Sequence, residues 1–239
     1  MTGLLVAALV FLASLLQSLS GFGFAILVMP VVTLLVGLRI AAPMVALTGL
    51  TVYIINLVRY RQAIDGRELA RLGLATAIGV PVGIWALVNV QEAVVNRVLG
   101  LIMVGYAAYT LLAPRTERQV PRWWVYPAGF LAGCLGGAYN TPGPPVIVYG
   151  ALRQWPRGEF RAILQALFLV NATLVVGAHL VAGHFDGTVL RLYLWAVPAL
   201  AVGILAGSRL DARVGRQQFR LVVLGAILGI GLLLLFRPV

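Results

Sequence analysis

The stretch Gly136-Gly137-Ala138-Tyr139-Asn140-Thr141-Pro142-Gly143-Pro144-Pro145 decides how this chain is read. It lies in an apolar region, yet no continuous helix can cross it. Its three prolines remove backbone donors and clash with the preceding turn, and its glycines add no rigidity. In lipid, backbone groups freed by such a break must be satisfied by protein, water or ligand. A break at membrane depth is therefore buried against protein or is part of a site. A second break stands at Gly21-Phe22-Gly23-Phe24, and the rest of the chain reads as a scaffold for the pair.

Composition supports a membrane setting. Of the 239 residues, 61% are hydrophobic and only 10% are charged, with a mean hydropathy of +0.98. So few charges could not cover the surface of a soluble domain this long. The expectation is an all-α polytopic membrane protein, multi-pass in the cell inner membrane, with about 8–10 membrane segments. The lipid bilayer is then its environment and first partner. Residues 1–20 lack a charged leader and a small-residue cleavage site, so they read as a retained membrane segment. The single cysteine, Cys134, excludes an internal disulfide and a multi-cysteine metal site. No metal and no other cofactor is expected.

The net charge is +11. Every basic residue is an arginine, placed in the short connections between apolar segments or at the segment ends beside them. That is the pattern of membrane topology signals, and it argues against a nucleic-acid partner.

The apolar segments are 3–20, 25–37, 41–59, 69–88, 95–113, 124–136, 142–152, 160–182, 189–208 and 217–236. Three of them, 25–37, 124–136 and 142–152, are too short to cross a bilayer alone, because a span needs about 20 residues. The chain divides into a first membrane repeat at 1–113, a cytoplasmic linker at 114–122 and a second membrane repeat at 123–239. Gly79-Val80-Pro81-Val82-Gly83 corresponds to Gly203-Ile204-Leu205-Ala206-Gly207, and Ile55-Asn56-Leu57 echoes Val170-Asn171-Ala172. Each half opens with a segment, a glycine-rich break and a short segment.

Arginine counting sets the topology. With eight plain crossings the two sides of the membrane would receive nine arginines each. If each break is the tip of a hairpin, the sides receive fourteen and four. The positive-inside rule selects the second arrangement. Each half then crosses an odd number of times, so the repeats are inverted and both termini lie outside. Broken helices meeting from opposite faces are an arrangement of alternating-access transporters.

The chain carries no metalloprotease, nucleophile-elbow or phosphate-loop motif, so an enzyme is not expected. Its seven acids, among them Glu68 and Glu159, are expected in loops. The chemistry falls to the two breaks. A helix that restarts after a break presents free N–H groups and a positive dipole end, which together bind an anion. Phe24 and Pro145 mark the expected restarts. Ser18, Ser20, Tyr139, Asn140 and Thr141 could add side-chain donors, and Phe22, Phe24 and Tyr139 would shape the pocket.

The other polar residues within apolar segments are Gln17, Asn56, Gln165 and Asn171. Interhelical bonding and substrate contact are equal readings for each. At about 100° per residue, Gln165 and Asn171 do not share one face of their helix. Arg161 stands where a helix begins and could point toward the inner mouth. His179 reads as a capped or snorkelling side chain, Cys134 as small-residue packing, and the pairs Gly79/Gly83, Gly203/Gly207 and Gly225/Gly229 as close-packing seams.

Ser20-Gly21-Phe22-Gly23-Phe24 with Pro30, then Asn140-Thr141-Pro142-Gly143-Pro144-Pro145-Val146-Ile147-Val148-Tyr149 and Phe160-Arg161-Ala162, resemble the sulfite exporter TauE/SafE family of membrane permeases. The resemblance covers nearly the whole chain. It implies a secondary carrier, an exporter, of small sulfur-containing anions such as sulfite or organosulfonates. The expected substrate site comprises Ser20, Gly21, Phe22, Gly23, Phe24, Tyr139, Asn140, Thr141, Pro142, Gly143, Pro144 and Pro145, with Asn56, Gln165 and Asn171. A carrier of another small anion, such as a carboxylate, is one alternative. A non-transporting membrane scaffold subunit is the other. A homo-oligomer is compatible with the sequence.

Overall fold

The computed structural model describes residues 2–112 and 120–210 continuously, with isolated positions at 225, 228, 229, 232, 235 and 236. The described residues form helices and no strand. In order these are α1 (Thr2–Ser20), α2 (Phe24–Val36), α3 (Leu38–Tyr60), α4 (Gly66–Asn89), α5 (Glu92–Leu112), α6 (Val125–Tyr139), α7 (Gly143–Leu152), α8 (Arg157–Val181) and α9 (Gly187–Leu210). Five helical stretches are long and apolar enough to cross a membrane: Thr2–Ser20, Leu38–Ala63, Gly66–Ala86, Gly158–Val181 and Gly187–Leu210. The short segments expected at 25–37 and 142–152 are the short helices α2 and α7. The segment at 217–236 and the linker residues 113–119 lie outside the continuous description.

Large apolar side chains remain on the outside, including Leu12, Ile78, Trp85 and Leu194. In water that surface would be a liability. In a bilayer it is the face that lipid covers. Trp123, Trp124 and Tyr126, also exposed, cluster beside Arg122 at the start of α6, as interfacial aromatics do.

Two glycine seams organise the bundle. Along α4 and α6, a Cβ at Gly79 or Gly83 would overlap the backbone carbonyls of Phe130 or Cys134. Gly133 and Gly137 meet α4 at Thr76 and Val80 in the same way. Along α1 and α9, Gly203 lies against Phe11 and Ser14, and Gly207 against Leu15 and Ser18. Numbering rises together on both sides of each seam, so α6 is parallel to α4 and α9 is parallel to α1. The expected packing role of Gly79, Gly83, Gly203 and Gly207 therefore holds. At Gly225 and Gly229 a Cβ would meet nothing within 4 Å, so no seam forms there among the described residues.

Helices α3 and α8 pack along the middle of the molecule and run antiparallel. Tyr53 stacks on Phe168 with ring centroids 5.2 Å apart, Tyr60 meets Arg161, and Gly158 faces Ala63. At about 1.5 Å per residue, the 25 residues of α8 span roughly 37 Å. The first break docks on its first third, at Arg161 and Gln165, and the second near its middle, at Phe168 and Asn171.

One expectation needs correcting. Glu68, Glu92 and Glu159 are not in loops but in the first turns of α4, α5 and α8. Glu68 is buried, and the Tyr149 hydroxyl of α7 donates to its Oε1. Asp65 caps α4, accepting from the backbone N–H groups of Arg67 and Glu68. Once capped, the helix begins three residues before the apolar run, and it carries the acid inside.

Candidate functional site

The first break is short. Helix α1 ends at Ser20, and Gly21 and Gly23 take φ of 85° and 106°, a left-handed region that a side chain would strain. Two such residues around Phe22 turn the chain within three positions and let α2 restart at Phe24, the expected residue. Ser20 steadies the turn, its hydroxyl donating to Leu16 O (2.8 Å) and Phe22 O (2.6 Å).

Three side chains close this break. Gln165 Nε2 donates to Gly21 O at 2.6 Å. Arg161 Nη2 donates to Leu19 O at 2.8 Å, and its guanidinium also reaches the Tyr60 hydroxyl. Gln17 works in both directions. Its Oε1 accepts from Phe24 N at 3.0 Å, while its Nε2 donates to Gly21 O and to Gln165 Oε1, both at 3.3 Å. Gln17 and Gln165 are essentially fully buried. Arg161 thus points into the break, and Gln165 is brought to the first motif as a contact of its backbone.

The second break lies at 140–142, later than the glycines suggest, because Gly136 and Gly137 remain inside α6. Asn140 ends α6 in the left-handed region, with φ of 57°. Asn140 N donates to Gly136 O and Thr141 N to Leu135 O, which satisfies the last carbonyls of α6 in the manner of a glycine-type cap. The Asn140 side chain then donates through Nδ2 to Ala42 O of α3 at 3.0 Å. Helix α7 restarts at Gly143, two residues before the expected Pro145, because Pro144 and Pro145 both fit its first turn, where a missing N–H costs nothing.

The two restarts are neighbours. A Cβ on Gly143 would lie 3.4 Å from the Phe168 ring and 3.9 Å from Ile26 Cδ1. Ile26 is in the first turn of α2, so a side chain from the start of α2 reaches the start of α7 beside Phe168 of α8. The sequence sites named at 20–24 and 139–145 are therefore adjacent, although they are more than a hundred residues apart in the chain.

The remaining polar candidates separate as their helical angles suggest. Gln165 serves the first break. Asn171 serves the second, where a Cβ on Gly136 would overlap its Oδ1. Asn56 shares the face of α3 that carries Tyr53 and Tyr60, and the antiparallel register places it opposite Gln165. Asn56 Nδ2, Thr141 Oγ1, Asn171 Oδ1 and Ser18 Oγ are buried without a hydrogen-bond partner. Ser18 belongs to the α1–α9 seam, against Gly207. The other three flank the two breaks. An unsatisfied buried polar atom costs about 1–3 kcal/mol, and these three lie on the elements that surround the breaks.

The dipoles are sorted as well. Of the carbonyls at these helix ends, which would repel an anion, Leu19 O and Gly21 O are taken up by Arg161 and Gln165, and Leu135 O and Gly136 O by the cap at Asn140–Thr141. The N-terminal ends of α2 and α7 remain, with the positive ends of their dipoles. Their donors are unequal. Pro142, Pro144 and Pro145 have no N–H, so α7 offers Gly143 N and the Thr141 hydroxyl. Helix α2 offers Ala25 and Ile26, whose N–H groups lie in its first turn and lack an acceptor within the helix.

Gln17, Arg161, Tyr60 and Ala42 complete the two breaks but were not among the expected site residues. Gln17 was legible as a polar residue within an apolar segment, with interhelical bonding as one reading, and Arg161 as a helix-start residue inside the Phe160-Arg161-Ala162 motif; for the Ala42 carbonyl there was no signal. His179 bonds to His184 through the two Nδ1 atoms, 2.9 Å apart, at the far end of α8, away from both breaks. Among the described residues no group of three or more metal-binding side chains occurs.

Comparison with known proteins gives three findings. A family model described as "Sulfite exporter TauE/SafE" matches residues 6–234. The "probable sulfite/organosulfonate exporter TauE" of Cupriavidus necator is 27% identical over 225 residues, covering 90% of this chain and 86% of that protein. The "probable inner membrane transporter protein TsaS" of Comamonas testosteroni is 25% identical over 158 residues, covering 65% of this chain and 66% of that protein. No solved structure matches the chain significantly.

Proposed function

The chain belongs to the sulfite exporter TauE/SafE family and is a multi-pass inner-membrane transport protein rather than an enzyme, and from that premise we propose that it carries small sulfur oxyanions, sulfite or organosulfonates, through a site at the paired helix breaks. The observation that carries this reading is the meeting of Ile26 and Gly143, which brings two positive helix ends together while the opposing carbonyls are capped. An oxyanion with three oxygens in a cone suits donors from three directions: Ala25 and Ile26 N–H, Gly143 N–H, and the Thr141 hydroxyl. Asn56 Nδ2 supplies a further donor from α3. The Phe24 ring and Tyr139, both buried, form apolar walls that suit the organic tail of a sulfonate.

Two inverted membrane repeats are part of the proposal. The first helix of each half pairs in parallel with the fourth helix of the other half, and the third helices, α3 and α8, are antiparallel to each other. An in-plane two-fold axis between α3 and α8 produces that set of relations, whereas repeats of the same orientation would make α3 and α8 parallel. Alternating access then follows from rocking one repeat against the other around the central breaks. A membrane potential negative inside drives a monoanion outward with about 2.3 kcal/mol per 100 mV, which favours export.

The test is flux in proteoliposomes with sulfite, methanesulfonate and acetate on one side. Sulfite and sulfonate flux well above acetate flux is expected. Acetate moving equally well would favour a general small-anion carrier. No flux of any anion by folded protein would leave the scaffold reading.

A further inference from the structure

Gln17 occupies the place where an anion on α2 would sit. Its Oε1 accepts from Phe24 N, the first N–H of the helix. The acceptor comes from the preceding helix, seven residues upstream, not from a capping residue beside the helix start. The N-cap position itself is Gly23, which has no side chain to offer. The amide is held in register by its other end, which donates to Gly21 O and Gln165 Oε1. The network fixes its orientation, because the backbone N–H of Phe24 requires an oxygen and the carbonyl of Gly21 requires a nitrogen. No such stand-in exists at the other lip of the site, where Thr141 Oγ1 is 2% exposed and has no hydrogen-bond partner. Asn56 Nδ2, opposite Gln165, has none either.

We infer that Gln17 is an internal surrogate for the substrate: its side-chain oxygen closes the α2 end of the site in the anion-free protein, and a substrate oxygen takes over Phe24 N–H when it binds. This rests on the anion-site reading above and deepens it. The exchange is chemically matched. A neutral amide oxygen makes a weaker hydrogen bond than an anionic oxygen, roughly by half, so the anion displaces the amide, and the amide returns when the anion leaves. Substrates lacking an anionic oxygen cannot drive the exchange, which makes Gln17 a selectivity element against neutral solutes. The first donor of α2, Phe24 N–H, is thus not left bare in the apolar interior, where an unmade hydrogen bond is costly.

Two substitutions separate this role from that of an ordinary substrate ligand. Gln17→Ala removes the competitor, so sulfite and methanesulfonate should bind several-fold more tightly, as read by anion-dependent thermal shift of the purified protein. Gln17→Glu puts a tethered carboxylate on Phe24 N–H, so anion binding should weaken by at least about tenfold. Because its second oxygen faces Gly21 O and Gln165 Oε1, where Nε2 donated, the anion-free protein should unfold earlier than wild type. Weaker binding by Gln17→Ala would make Gln17 a substrate contact and overturn the inference. Undiminished binding by Gln17→Glu would overturn it as well. If one variant does not yield a monodisperse protein, the other decides. Wild-type protein that binds neither anion would refute the anion-site reading itself, and the inference with it; this outcome is distinct from both variant results.

Discussion

Asn140 stands in a left-handed backbone conformation while its side chain holds the Ala42 carbonyl, so two separate costs attach to replacing it. Asn140→Gly keeps the conformation and loses only the bond. Asn140→Leu loses the bond and adds about 1–2 kcal/mol of left-handed strain. The leucine variant should therefore melt below the glycine variant, and both below wild type, in detergent. Equal melting of the two would show that the backbone at 140 is not strained. Gly136 and Asn171 offer a second test. A Cβ at Gly136 overlaps Asn171 Oδ1, so Gly136→Ala should be destabilising. Adding Asn171→Ala should recover much of the loss, a coupling that a double-mutant cycle reads directly. At this scale the sequence told only part of the story. The glycine and proline breaks could be read because their backbone chemistry is local. The partners Gln17, Arg161 and Ala42 could not, because Gln165 and Gly21 are 144 residues apart and only the folded bundle sets which carbonyl meets which amide.

Helices α4 and α9 each present a glycine pair to a parallel neighbour, and the consequence of filling a glycine depends on what it faces. Gly73 and Gly79 lie on the same helix. A Cβ at Gly73 meets nothing within 4 Å, whereas one at Gly79 overlaps a backbone carbonyl of α6. Gly73→Ala should be neutral or stabilising, by up to about 1 kcal/mol of helix propensity. Gly79→Ala should destabilise by about 1–3 kcal/mol through overpacking, and Gly203→Ala on the α1–α9 seam should do the same. Thermal melting of the three single variants checks this, and loss of stability in Gly73→Ala would contradict the seam. Helix positions were legible to within a few residues because length and apolar run decide them in a membrane. The start of α4 was not, since its Asp65 cap and the Tyr149 bond draw Glu68 into the helix and bury it.

At the scale of the molecule, the pairing of the breaks was legible as a repeated order of elements, and the docking of both against α8 was not. If the breaks are hairpin tips, arginine asymmetry gives fourteen charges on one side and four on the other, and the proposed inverted repeats would then have both termini outside. A Thr2→Cys variant in a Cys134→Ala background should react with a membrane-impermeant maleimide in intact cells. A cysteine at Ala63, beside Arg59 and Arg61, should be protected until the cells are opened. The reverse pattern would overturn the topology. The central claim, that the anion sits between the tips of α2 and α7, is tested most directly with selenite, a heavier analogue of sulfite. A crystal structure of the selenite-bound protein, with data collected at the selenium absorption edge, should give one anomalous peak between Phe24–Ile26 and Thr141–Gly143. A peak only among the loop arginines, with none at the paired helix ends, would contradict the account.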